Sequence, residues 1–132
     1  MNDLNPPRGP IARRILVVDD NVDAAETVAL LLQALGHDVA VEFDPLQALA
    51  CVREHRFDTF ILDIGLPGMD GHELARQLHA LPSTHGALYV ALTGYGQEHD
   101  RQASRAAGFH HHFVKPADVM ALADALARGA PR

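Results

Sequence analysis

Four short apolar runs in this 132-residue chain each stop at a polar residue of a kind that can handle phosphate or a metal ion. Leu16-Val17-Val18 ends in Asp19-Asp20, Phe60-Ile61-Leu62 in Asp63, Val90-Ala91-Leu92 in Thr93, and Phe113-Val114 in Lys115. Runs this short, bounded by turn residues, suit strands covered on both faces of a parallel sheet. All strands of such a sheet end on one edge, and open α/β folds bind their ligands there. Three carboxylates, a hydroxyl and an ammonium should therefore meet in one small site.

Between the runs lie helical patterns, and strand and helix signals alternate five times. Strands are expected near 14–19, 38–43, 58–62, 87–92 and 110–114. Asn21 reads as the N-cap of a first helix, with Val28, Leu31, Leu32 and Leu35 as its stripe and Gly36 as its stop. Asp44-Pro45 opens a second helix. Asp70-Gly-His-Glu73 reads as a capping box, with Leu74, Leu78 and Leu81 behind it. Pro116 should open the last helix, whose inward face is Val119, Leu122, Ala123 and Leu126. The fourth helix, near 97–107, has only alanines as apolar residues, so it should bury little. Strict alternation implies a parallel sheet with right-handed crossovers and helices on both faces. Five units fit a flavodoxin-like (βα)5 doubly wound fold of strand order 2-1-3-4-5. Strands 1 and 3 then lie side by side at the switch point, bringing Asp19 and Asp20 against Asp63. Phe43, Phe57, Phe60 and Phe113 are expected in the core.

The chain length fits one domain, with residues 1–12 a flexible leader or linker rich in proline, 13–129 the folded unit and 130–132 a short tail. The net charge of −6 is uneven: residues 1–66 hold eleven acids and five bases, and 67–132 six of each. That balance offers no general attraction to nucleic acid or anionic membrane. Cys51 stands alone, which excludes an internal disulfide and suits a reducing cytoplasm. No apolar stretch reaches the ~20 residues of a membrane span. Of eleven basic residues ten are arginine, and the single lysine is Lys115. A point charge with three rotatable donors differs from a planar fork when it must meet a phosphoryl group.

Three crowded carboxylates repel one another unless a cation is near, and a hard divalent ion, magnesium or manganese, is the simple resolution. Asp63 is the candidate nucleophile, since a carboxylate can accept a phosphoryl group as an aspartyl phosphate. The metal and Lys115 would offset charge, and the Thr93 hydroxyl could bond a phosphoryl oxygen. The nine histidines include His110-His111-His112. Alternation along a strand puts His110 and His112 on one face and His111 on the other. Three such neighbours cannot close around one ion, and a solvated edge is expected instead of a transition-metal site.

From about Arg14 to Arg128 the chain resembles the receiver domain of two-component response regulators. The resemblance rests on Leu16-Val-Val-Asp-Asp20, Leu62-Asp-Ile-Gly-Leu-Pro-Gly-Met-Asp-Gly71, Ala91-Leu-Thr93 and Val114-Lys-Pro116. It implies that Asp63 is the phosphoacceptor, that Asp20 binds magnesium with Asp19 in support, and that the Gly65 backbone carbonyl is the third protein ligand. It also implies that Thr93 and Lys115 contact the phosphoryl group, delivered by a phosphohistidine of a histidine kinase or a phosphotransfer protein. The resemblance places a switch residue three positions before the lysine, here His112, acting with Thr93 in place of the usual tyrosine or phenylalanine. The resemblance also marks Gly65 and Tyr95 as the positions that would govern water access to the phosphoryl group. The changed surface would lie near the fourth helix, fifth strand and fifth helix. No DNA-binding or catalytic output segment is expected after the last helix. Thr93-Gly-Tyr-Gly-Gln97 and the leader resemble receivers attached to hybrid kinases, although a stand-alone regulator or a relay intermediate fits too. Two rivals are an aspartyl-phosphate phosphatase or phosphotransferase of the haloacid-dehalogenase type and a receiver-like interaction module that accepts no phosphate. The first normally carries an Asp-x-Asp segment, whereas Asp63 is followed by Ile64 and Gly65.

Overall fold

Burial divides the strands into two kinds. The computed structural model describes residues 12–94 and 101–129. In it β1 (Arg14–Val18), β3 (Thr59–Asp63) and β4 (Leu88–Thr93) are buried almost throughout, while β2 (Asp38–Glu42) and β5 (His111–Val114) are half-buried. That is the signature of a sheet whose inner strands are covered on both faces and whose edges are not. The order is β2-β1-β3-β4-β5 with every pair parallel. The register sets Val18 beside Leu62, so the residues that follow each of them emerge next to one another.

Helices α1 (Val22–Ala34) and α5 (Val119–Arg128) cover one face, where Ile15, Val17, Ile61, Val90 and Leu92 meet Leu32, Leu122 and Leu126. Helices α2 (Pro45–Glu54), α3 (Gly71–His79) and α4 (Arg101–Ala106) lie along the chain between the other strands. The second core, with Leu16, Phe60, Leu62 and Tyr89 from the sheet, takes residues from α2 and α3, and Ala107 just past α4. A 3-10 turn (Pro82–Thr84) leads into β4. Helix starts follow local chemistry. Asn21 accepts the Ala24 N–H, Asp44 those of Leu46 and Gln47 ahead of Pro45, and Asp70 that of Glu73.

Several expectations are corrected. In α1 the buried residues are Ala25, Ala29 and Leu32, while Leu31 and Leu35 are 40% and 52% exposed. Small alanines let the helix lie close on the sheet, so the leucines flanking that stripe face outward. Phe43 is 38% exposed because it follows the edge strand β2, where solvent occupies one side. Pro116 precedes the last helix, which is capped by Asp118 through the N–H groups of Met120 and Ala121. Only half of the capping box at α3 forms: the Glu73 carboxylate takes Arg76 and Gln77 instead. Leu81 lies beyond α3 and packs against the core from outside. Of the expected 97–107 helix, residues 97–100 lie outside the described residues, as do the leader up to residue 11 and the tail. The described α4 buries Ser104, 1% exposed, and that hydroxyl bonds His72 Nε2 of α3 at 2.9 Å. A polar tie thus joins the two helices where apolar side chains are scarce.

Candidate functional site

The carboxyl edge of β1, β3 and β4 carries the site. Because Val18 and Leu62 are paired, Asp19 and Asp63 leave adjacent strands at the same level. Asp19 and Asp63 are 1% and 5% exposed, whereas Asp20 faces solvent. One carboxylate oxygen from each of the three lies within 4.8 Å of the others. Buried like charges need compensation, and one side chain supplies it: Lys115 Nζ stands 2.7 Å from Asp19 and 3.2 Å from Asp63. Its backbone N–H donates to the Thr93 carbonyl at 2.7 Å, which extends the β4–β5 ladder to the lysine. The Lys115–Pro116 peptide is cis.

Backbone donors finish the carboxylates. The Gly65 N–H donates to Asp63 Oδ1 at 2.9 Å, and the Asn21 N–H to Asp19 Oδ1 at 3.0 Å. Burial pushes the Asp63 carboxyl above its ordinary pKa; the Gly65 N–H works against that, Asp19 adds to it, and Lys115 opposes it. Burial pulls the Lys115 ammonium down, but the two aspartates outweigh it and the net shift is upward. Three carboxylates against one ammonium leave an excess of two negative charges when all are ionised, and every acidic ligand is an oxygen. That set fits a hard divalent cation such as magnesium.

Thr93 is fully buried, and its Oγ1 shares a 3.2 Å hydrogen bond with His112 Nε2. Val114 pairs with Thr93 in the ladder, which places the threonine at the end of β4 with Lys115 just beyond. The structure thus gathers Asp19, Asp20, Asp63 and Lys115, with the Gly65 N–H bonded to Asp63 and His112 to Thr93. Tyr95 lies outside the described residues.

The run His110-His111-His112 lies at the edge strand β5, half-buried rather than fully solvated. His110 Nδ1 accepts the Tyr89 N–H at 3.0 Å, His111 Nε2 meets the Gly129 carbonyl at 2.9 Å, and His112 bonds Thr93. All three are half-buried, each on a different partner. The depth of the rings depends on β4 and α5, which are distant in sequence.

Sequence reasoning also gave no role to Gly71. A Cβ there would stand 2.4 Å from the Asp63 carbonyl oxygen and 2.8 Å from Ile64 Cα, and the Gly71 N–H bonds the Ile64 carbonyl at 2.9 Å. Only glycine lets α3 begin that close to the Asp63 backbone. The signal was a glycine at the first helical position straight after the capping aspartate.

The model of the response regulator receiver domain matches residues 15–127. The chain belongs to the receiver domain family. Receiver domains are signalling domains that take phosphoryl groups from histidine kinases and bind magnesium at an acidic aspartate cluster. A 14.6 kDa protein of Leptolyngbya boryana is 34% identical over 108 residues, 82% of each chain. The virulence sensor protein BvgS of Bordetella bronchiseptica is 33% identical over 132 residues, 96% of this chain and 11% of that protein. Several further curated relatives are likewise spanned over only 10% to 46% of their length. The receiver domain of the sensor histidine kinase PA1611 of Pseudomonas aeruginosa, solved with magnesium in its active site cleft, superposes with a TM-score of 0.80 at 28% identity. That match covers 90% of this chain and 98% of the other. Among the described residues no helix is long and apolar enough to cross a membrane.

Proposed function

We propose that this receiver accepts a phosphoryl group on Asp63 from a phosphohistidine of a histidine kinase or phosphotransfer protein, in a reaction dependent on magnesium or manganese. The phosphorus–nitrogen bond breaks, its electron pair stays on the imidazole, which takes up a proton, and an Asp63 carboxylate oxygen bonds to phosphorus. The observation that carries the reading is the three-carboxylate cluster bridged by Lys115.

Asp19, Asp20, Asp63 and the Gly65 carbonyl are the groups to hold the ion. When bound, the ion supplies positive charge to the phosphoryl oxygens as they transfer. Lys115 moves its ammonium from Asp63 toward those oxygens, and Thr93 turns its hydroxyl to the same group. Phosphoryl transfer has a loose transition state, so positioning and charge compensation are most of what the protein must provide. Since Thr93 Oγ1 bonds His112, engaging the phosphoryl group breaks that bond, and the two residues act together as the switch. The folded unit is residues 13–129, and its setting is a cytoplasmic regulator or the receiver of a hybrid kinase.

Phosphoramidate, whose phosphorus–nitrogen bond resembles that of phosphohistidine, tests the assignment. With magnesium present, hydroxylamine trapping and peptide mapping should find a hydroxamate at Asp63 and nowhere else. EDTA should prevent its formation. A hydroxamate at another aspartate, or equal labelling of Asp63→Asn, would contradict the assignment.

A further inference from the structure

Both edges of the sheet are fastened by an imidazole at their amino ends, and in both the ring is an acceptor. On the β5 side, the His110 N–H donates to the Tyr89 carbonyl at 2.8 Å while His110 Nδ1 accepts the Tyr89 N–H at 3.0 Å. On the β2 side, the Asp38 N–H donates to the Arg13 carbonyl at 2.9 Å, while His37 Nδ1 accepts the Arg13 N–H at 3.0 Å. His37 and His110 each stand one residue before an edge strand, and the donor belongs to the neighbouring inner strand or the residue just before it.

A backbone N–H can only donate, so the roles in these two bonds are fixed without assigning a tautomer by inspection. Nδ1 must be bare. A proton on it turns attraction into two N–H groups pointed at each other, and it leaves a buried backbone donor with no partner. We propose that His110 and His37 form a pair of proton-operated latches on the two sheet edges, closed while Nδ1 is bare and opened by acid. The His110 latch has consequences for the site, because β5 carries His112 and runs on to Lys115.

The surroundings favour the closed state at neutral pH. His110 opens onto a cleft of about 380 Å³ between α4, β5 and α5, lined also by Arg105 of α4, His111 and His112 of β5, and Asp124 and Arg128 of α5. Asp124 is engaged by Arg128 at 2.9 Å, so the cleft offers an added proton little negative charge. His79 of α3 faces the same region, stacked on the Tyr89 ring at 3.9 Å between centroids. Burial, then His111 and His79, hold the His110 pKa below its ordinary value. His37 is flanked by Arg13 and Asp58; burial and then Arg13 lower its pKa, against a smaller upward pull from Asp58.

The latches do not depend on phosphoryl acceptance, and their test does not use it. Amide hydrogen exchange of Tyr89 and Arg13 is followed by NMR from pH 7.5 downward, beside the ring resonances of His110 and His37 and the Ile61 amide at the sheet centre. Protection factors, which are corrected for intrinsic exchange, should fall by about tenfold per pH unit once each ring titrates. Ile61 should hold its protection over the same range. In His110→Asn the Oδ1 atom, two bonds from Cβ as Nδ1 is, accepts at any pH, so the Tyr89 response should disappear while that of Arg13 remains. His37→Asn should give the converse. Full protection of Tyr89 and Arg13 in the native chain with both rings shown to be protonated would overturn the proposal. So would a His110→Asn protein whose Tyr89 amide responds like the native one. If a variant does not fold, the native titration alone decides.

Discussion

The two edges of the sheet solve opposite electrostatic problems. At the carboxyl edge Asp19, Asp20 and Asp63 crowd together and a single ammonium answers them. At the amino edge the Arg13 side chain is held by three partners. Its Nε donates to the Leu126 carbonyl at 2.7 Å, its guanidinium to Thr59 Oγ1 at 3.1 Å, and Asp58 stands 3.9 Å away. That knot ties the start of β1 to β3 and α5 and pairs a cation with a carboxylate, whereas the opposite edge keeps an excess of negative charge. The lesson is that this fold concentrates its unfavourable charge where a cation and a phosphoryl group would relieve it, and spends its best-matched bonds far from there.

Removing Lys115 should break the comparison most severely. Lys115→Met leaves two buried carboxylates without their cation and should lower the unfolding free energy by about 3 kcal/mol in metal-free buffer. Magnesium should recover much of that loss, so its stabilising effect in denaturant titrations should be larger for the variant than for the native chain. Equal effects would show that the lysine and the ion do not answer the same charges. Next in size is Arg13→Ala, which removes two hydrogen bonds donated by a partly buried guanidinium and should cost about 2 kcal/mol. Magnesium should restore none of it, because the knot is at the other end of the strands. An Arg13→Ala protein rescued by magnesium would dissolve the contrast.

The smallest effect is on pH dependence. Burial and Arg13 lower the His37 pKa in the folded state, so its contribution is complete above the unfolded value of about 6.5 and is lost as pH falls below it toward the folded one. The unfolding free energy should therefore drop on acidification from pH 7 to 5, and more gently in a His37→Asn, His110→Asn double variant. Identical slopes for the two proteins would remove the histidines from the account.

Much of this was legible in the chain because the inner strands are buried on both sides. Their apolar runs are short and continuous, and the residue that ends each run is the residue at the sheet edge. Asp19, Asp63 and Thr93 could be found that way, Lys115 by its place after the half-buried edge strand β5, and the β1–β3 register follows once the strand order is accepted. What escaped were features set by tertiary distance. The buried stripe of α1 is built on Ala25 and Ala29, while the sequence draws the eye to Leu31 and Leu35. Gly71 is required by the Asp63 carbonyl, a contact that no local pattern records. The roles of His37 and His110 depend on which backbone N–H reaches each ring, and strand periodicity does not specify that.

The contrast between the edges comes down to whether Asp63 is the group that receives the phosphoryl. Intact mass after incubation with acetyl phosphate and magnesium addresses it directly. The account predicts one phosphoryl addition to the native chain and none to Asp63→Asn, whose circular dichroism should match the native protein. A native mass that stays unchanged, or an Asp63→Asn chain that gains the same addition, would contradict it.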